Sequence, residues 1–162
     1  MCGVIGVFGA GAAADLQGAL ARLRHRGPDG NGHCETASGA LGHTRLAIVD
    51  VEHGAQPQGL GRLHISYNGE VYNFRRVRRE LEARGRRFRS TGDSEVVLSA
   101  FAEWGLDAVH RFVGMFAIAL WDSTTRTLHL IRDRLGVKPL YYHWDGRSLF
   151  FGSELKAIRA FS

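Results

Sequence analysis

The chain opens Met1-Cys2-Gly3-Val4-Ile5-Gly6-Val7-Phe8-Gly9-Ala10-Gly11. Cys2 to Phe8 is an apolar run with β-branched residues, too short for a membrane helix, and it predicts a buried first strand. Initiator methionine is commonly trimmed before a small residue, and trimming would place a thiol and a free α-amine on Cys2. Their ordinary pKa values are about 8.5 and about 7.7–8.0, so one residue holds a nucleophile and a general base near neutral pH. Retention of Met1 would move the amine one residue away, and such a chain is expected to be inactive. The competing reading of Cys2 is a small buried hydrophobe.

Downstream, residues 13–24 place Leu16, Leu20 and Leu23 at helical spacing, and Arg26 to Gly30 reads as a polar turn. Leu41 to Val51 is strand-like. Leu63–Tyr67 and Glu70–Tyr72 flank Asn68-Gly69, the favoured pair for a two-residue hairpin. A basic helix is predicted over 73–84 and a second helix over Asp93–Trp104, with Thr91, Asp93 or Ser94 as cap and Glu95 early in the helix. Strands return at Met115–Trp121 and Leu128–Arg132. Leu140–Trp144 and Ser148–Phe151 form a hairpin about Asp145-Gly146, and Leu155 begins a last helix. Helices set between two groups of strands suit antiparallel sheets covered by helices rather than a βαβ alternation.

The 162 residues suit one domain, and 44% apolar with 23% charged residues is ordinary for a soluble globular protein. No signal peptide or membrane span is predicted. Two cysteines outside any CxxC pattern favour a reducing, cytoplasmic setting. The formal charge of +5 is concentrated in arginines between Arg75 and Arg89. Without interleaved aromatics this stretch reads as a solvated helix face, not a nucleic-acid surface. Eight histidines fall at no metal spacing, so no metal is expected. Val7 to Ala14 carries GxGxxA, but the acidic second strand of a dinucleotide fold does not follow.

Three further features suggest chemistry. Asn68 and Gly69 offer a side-chain amide and a backbone N–H as oxyanion donors. Arg45, inside an apolar strand, suits a bidentate grip on a carboxylate. Asp93 suits an ammonium. Two such clamps are what an α-amino acid requires.

These segments are joined by others: His25-Arg26-Gly27-Pro28-Asp29-Gly30, Gln56-Pro57, Tyr67-Asn68-Gly69-Glu70-Val71-Tyr72-Asn73, Thr91-Gly92-Asp93-Ser94-Glu95-Val96, Arg132-Asp133-Arg134-Leu135-Gly136-Val137-Lys138-Pro139 and Phe151-Gly152-Ser153-Glu154-Leu155-Lys156. In order and from end to end, the chain resembles the N-terminal glutaminase domain of glutamine-hydrolysing asparagine synthetases, class II glutamine amidotransferases. The resemblance implies an α+β, four-layer αββα N-terminal-nucleophile hydrolase fold with two stacked, mainly antiparallel sheets over residues 1–162. It implies that Cys2 attacks the side-chain amide of glutamine, with Asn68 and Gly69 on the oxyanion. It places Arg45 on the α-carboxylate, Glu70 and Asp93 on the α-amino group, and Leu46, Ile48 and Val49 along the pocket. No SGGxDS pyrophosphate loop occurs in the sequence. The ATP-dependent synthetase domain that consumes the ammonia, with its ATP and Mg, is therefore expected outside this chain, in a further domain or a separate subunit. The reading from another class is a non-catalytic structural or interaction module of an amidotransferase complex; retention of Cys2 argues for catalysis.

Overall fold

A computed structural model describes residues 1–9, 15–47 and 54–161. The first strand forms as its apolar run predicts: β1, Gly3–Gly9, is buried along all but its last residue. It lies at the centre of a five-stranded antiparallel sheet between β3 (Gly39–Arg45) and β9 (Ser148–Gly152), with β2 (Gly30–Thr36) and β8 (Tyr141–Trp144) at the edges. A second antiparallel sheet runs β4 (Gln58–Leu60), β5 (Leu63–Val71), β6 (Gly114–Asp122), β7 (Thr127–Arg132).

The alternation of side chains across each strand builds the layers. Val4, Phe8, Leu41 and Phe151 of the first sheet pack against Ala119 and Trp121 of the second, forming the core between sheets. On the outer face of the first sheet, Ile5 and Ala40 meet Leu16, Ala19 and Leu20 of α1 (Leu16–Arg22) and Ala157 of α4 (Leu155–Ile158). On the outer face of the second, Leu63, Ile65 and Tyr67 meet Val77 and Leu81 of α2 (Phe74–Glu82) and Val96, Val97 and Phe101 of α3 (Asp93–Trp104). The order of layers is αββα. Gly105–Arg111 adds a 3₁₀ turn after α3.

Asn68-Gly69 does not form a hairpin. β5 runs through it unbroken, with Asn68 opposite Ala117 and Gly69 opposite Phe116 on β6. Pairing with β6 holds this stretch extended, so no two-residue turn forms. The chain reverses earlier, between β4 and β5, where Gly61 has φ +57°. The Asp145-Gly146 hairpin does form: Gly146 has φ +94°, and Asp145 Oδ1 accepts from the backbone N–H groups of Arg147 and Ser148 at 2.8 and 2.7 Å.

Two other expectations change. The N-cap of α3 is Gly92, with no side-chain cap; Asp93 stands in the first turn instead. Glu95 accepts from the backbone N–H groups of Arg89 and Ser90, tying the approach loop to the helix. The strand expected at Leu41–Val51 ends at Arg45, and the part beyond Ala47 lies outside the described residues. So do Ala10 to Ala14 of the GxGxxA stretch. β2, of which the sequence reading covered only Gly30 at the end of the turn, is a polar edge strand whose exposed residues carry no hydrophobic signal.

The arginines of the basic stretch sit on an outer face among glutamates. Arg76 pairs with Glu80 at 4.0 Å, Arg78 with Glu82 at 2.9 Å, and Arg84 and Arg86 each meet Glu103 at 3.3 Å. Among the described residues no helix is long and apolar enough to cross a membrane.

Candidate active site

Cys2 lies just before β1, in register with the end of β3, because Gly3 pairs with Thr44. Leu46 N–H donates to Cys2 Sγ at 3.4 Å, and the thiol faces Leu46 O at 3.8 Å. Arg26 holds the terminus from behind. Its Nε donates to Cys2 O at 3.0 Å, and its Nη1 donates to Glu154 Oε1 at 3.0 Å. Burial raises the pKa of Glu154, but hydrogen bonds from Arg26, His25 and Lys156 outweigh it and hold the carboxyl at about 2. This carboxylate stays charged across the neutral range and keeps Arg26 in place.

The Arg26-Gly27-Pro28-Asp29 turn also shapes the end of β3. A Cβ on Gly27 would stand 2.3 Å from Arg45 N, so only glycine lets the turn lie against that strand. Asp29 N–H donates to Arg45 O at 3.0 Å, and Asp29 Oδ2 accepts from Ala47 N–H at 2.8 Å. Arg45 and Leu46 are thereby set beside the thiol.

From the other sheet come Ser66, Asn68 and Glu70, whose alternation along β5 sends them to one face, while Tyr67 and Gly69 take the opposite face. Asn68 is 2% exposed, and its Nδ2 has no hydrogen-bond partner among the described residues. An unsatisfied buried donor costs about 1–3 kcal/mol, so this amide is held ready for an acceptor. A Cβ on Gly69 would meet Met115 O at 2.4 Å and the Tyr67 ring at 2.7 Å. Glycine therefore lets the Tyr67 ring lie along the strand and donate its hydroxyl to Asp93 Oδ2 at 2.5 Å, where Val71 N–H donates at 2.9 Å. Burial pushes the Asp93 carboxyl up, more than the hydrogen bonds from Tyr67 and Val71 pull it down. Burial and the neighbouring Asp93 charge push the Tyr67 phenol up as well, so it stays a donor.

Cys2, Arg45, Leu46, Asn68, Gly69, Glu70 and Asp93 all line one cavity of about 350 Å³. Ile48 and Val49, the other residues expected there, lie outside the described residues. Met1 lines the same cavity, as do His43, Gln56, Tyr67 and Lys138, none of which the sequence reading singled out for chemistry. Gln56 mimics a strand neighbour: its side chain accepts from Tyr67 N–H at 2.7 Å and donates to Tyr67 O at 3.1 Å. Lys138 arrives through Asp133, whose carboxylate accepts from the N–H groups of Phe116, Val137 and Lys138. A thiol, an unpartnered amide donor, a guanidinium and two carboxylates around one small cavity can hold a zwitterionic amino acid and attack its side chain.

Comparisons with known proteins agree with this geometry. The family model described as a glutamine amidotransferase domain matches residues 1–162. The chain is 46% identical over 142 residues to asparagine synthetase [glutamine-hydrolyzing] 3 of Bacillus subtilis, covering 85% of this chain and 23% of that protein. It is 36% identical over 167 residues to asparagine synthetase [glutamine-hydrolyzing] 1 of the same organism, covering 98% of this chain and 26% of that protein. The chain thus spans about a quarter of the length of these relatives. In fold it is similar to the glutamine phosphoribosylpyrophosphate amidotransferase of B. subtilis, with a TM-score of 0.83 at 22% identity, over 98% of this chain and 43% of that one. The N-terminal-nucleophile amidotransferase architecture expected from the motifs is the one observed, and the chain belongs to the glutamine amidotransferase domain family.

Proposed function

We propose that this domain hydrolyses the side-chain amide of glutamine through Cys2 and supplies the ammonia to an asparagine-synthetase-like amidation carried out outside this chain. The observation that carries the reading is that the Cys2 thiol and the Asn68 amide, whose Nδ2 has no partner among the described residues, line one cavity together with Arg45 and Asp93. Arg45 grips the α-carboxylate, and Glu70 with Asp93 takes the α-ammonium. This orientation brings the side-chain amide to Cys2 and distinguishes a free amino acid from a peptide.

After removal of Met1, the Cys2 α-amine takes the thiol proton, and the thiolate adds to the amide carbon. Asn68 Nδ2 and Gly69 N–H donate to the oxyanion that forms. The protonated α-amine passes its proton to the amide nitrogen, the C–N bond breaks, and ammonia leaves. A γ-glutamyl thioester remains on Cys2. Water, deprotonated by the α-amine, adds to the thioester; glutamate departs and the thiol is restored. Leu46 N–H, which donates to Sγ at 3.4 Å, steadies the thiolate at both stages. The domain spans residues 1–162, and the ATP-dependent step belongs to a synthetase domain or separate chain. Two free cysteines, one of them the nucleophile, fit a reducing cytoplasm.

The test is intact mass after treatment with 6-diazo-5-oxo-norleucine. The expected result is one adduct, at Cys2, on chains lacking Met1, suppressed by glutamine and absent from Cys2→Ala. Correctly processed protein that takes no adduct would instead support a non-catalytic module.

A further inference from the structure

His43 is the least exposed titratable side chain near the cavity and has no place in the mechanism above. It sits on β3 two residues before Arg45, so its ring shares Arg45's face of the strand, and it pairs in register with Val4, two residues after Cys2. It is 1% exposed and lines the cavity with Cys2 and Asn68.

Its tautomer is set by the opposite sheet. Ser66 Oγ donates to Gly42 O at 2.9 Å, so the hydroxyl proton is committed. The contact of His43 Nδ1 with Ser66 Oγ at 3.4 Å then has the ring nitrogen as donor. Nδ1 carries the proton, and Nε2 presents a lone pair. Burial, with the Arg45 charge beside it, holds the ring neutral, with a pKa of about 3. Nε2 is buried and has no partner among the described residues. Two buried side-chain atoms of opposite hydrogen-bond character therefore line one cavity unsatisfied: a donor at Asn68 Nδ2 and an acceptor at His43 Nε2.

A primary carboxamide carries the matching pair, a carbonyl that accepts and an NH₂ that donates. Resting on the glutamine-hydrolysis reading, we infer that His43 is a specificity-determining residue: its Nε2 accepts from the NH₂ of the substrate amide while Asn68 donates to the carbonyl. A carboxylate, as in the product glutamate, has no proton to offer and sets an oxygen lone pair against that of Nε2. The contact selects amide over acid and favours product release. His43 takes up no proton during the reaction; the leaving nitrogen receives its proton from the Cys2 α-ammonium and departs as ammonia. The orientation it imposes keeps the nitrogen lone pair turned toward that ammonium.

The experiment compares kcat/KM for glutamine and for L-glutamic acid γ-methyl ester, whose leaving oxygen has no N–H. In His43→Asn the side-chain amide replaces Nδ1 at Ser66 and leaves nothing at Nε2, whereas in His43→Gln it replaces Nε2. A neutral hydrogen bond is worth about 1 kcal/mol, so His43→Asn should lower the amide-to-ester ratio by about five- to ten-fold with the ester rate retained. His43→Gln should lower the ratio less. A parallel loss on both substrates, the mark of a packing role, or no change in the ratio, would overturn the inference. Should His43→Asn fail to fold, Ser66→Ala carries the test: without its acceptor the ring can move the proton to Nε2, and the ratio should again fall. If wild-type protein lacking Met1 cleaves neither substrate, the glutamine reading falls and this inference with it. If it cleaves both and the ratio does not move, only the role of His43 falls.

Discussion

Asn68 is buried at the meeting of the two sheets with an amide donor that has no acceptor among the described residues. In the proposed mechanism that donor is aimed at the substrate carbonyl and at the charge that develops on it during reaction. Asn68→Ala removes the unsatisfied group, so it is expected to cost little stability while lowering the glutamine turnover rate by roughly 10²–10³. Steady-state ammonia release and a thermal melt measured together would check both halves; a variant that lost stability and activity together would point to packing instead. Asp93 shows a related tension. Its carboxyl is raised above the ordinary 3.8 by burial. A raised carboxyl pKa contributes stability below 3.8 that is lost as pH rises through the folded value, so the ionised form at pH 7 strains the fold. Asp93→Asn, which keeps an acceptor for Tyr67 and Val71, should melt higher than wild type at pH 7 and bind glutamine more weakly. The melting advantage should shrink as pH is lowered and wild-type Asp93 takes its proton. A KM for glutamine equal to wild type would remove Asp93 from the ammonium site.

At the scale of elements, the site is a junction of strand ends fastened by residues that never meet a substrate. Arg26 and Glu154 come from opposite ends of the chain to hold the carbonyl of Cys2. Since Glu154 is held near 2, below its ordinary 4.5, the pair contributes stability fully above about 4.5 that is lost as pH falls through about 2. Glu154→Gln should therefore lower the melting temperature at pH 7, with the gap to wild type closing between those values. Thermal melts across that range read it directly, and a gap independent of pH would show that charge is not the clamp. These elements also separate what a sequence can say from what it cannot. α3 was legible to the residue, β6 and β9 to within one residue at their ends, and the Asp145-Gly146 turn in place, because periodicity and local turn chemistry decide them. Asn68-Gly69 misled because its local preference for a turn is overridden by the ladder to β6, a tertiary fact. His43 passed unnoticed for the same reason: its meaning comes from Ser66, which is 23 residues away in the chain and in the other sheet. Cys2, Arg45 and Asn68 were singled out by residue chemistry and given their roles by resemblance, and only the fold places them in one cavity.

On the scale of the whole molecule, the site belongs to neither sheet. Cys2, His43 and Arg45 come from one, Asn68 and Glu70 from the other, and Asp93 from a helix on the outer face of the second. In the proposed mechanism the distance between nucleophile and oxyanion donor depends on the packing between sheets, where Phe8 meets Trp121 at 4.7 Å between ring centres. Close-packed interiors transmit a local loss of volume to neighbouring layers. Truncations in the two cores should then differ in kind. Trp121→Ala, between the sheets and away from the cavity lining, is expected to cost about 3–5 kcal/mol and to slow labelling of Cys2 by 6-diazo-5-oxo-norleucine, because the sheets settle toward each other. Leu81→Ala, in the outer core under α2, is expected to cost about 2–5 kcal/mol while leaving the labelling rate near that of wild type. Both rates are to be taken well below the melting temperature of the less stable variant, so that unfolding does not enter. Equal labelling rates would mean that Arg26 and the strand ends alone set the geometry. Slowing confined to Trp121→Ala would mean that the stack of the two sheets is itself part of the catalytic apparatus.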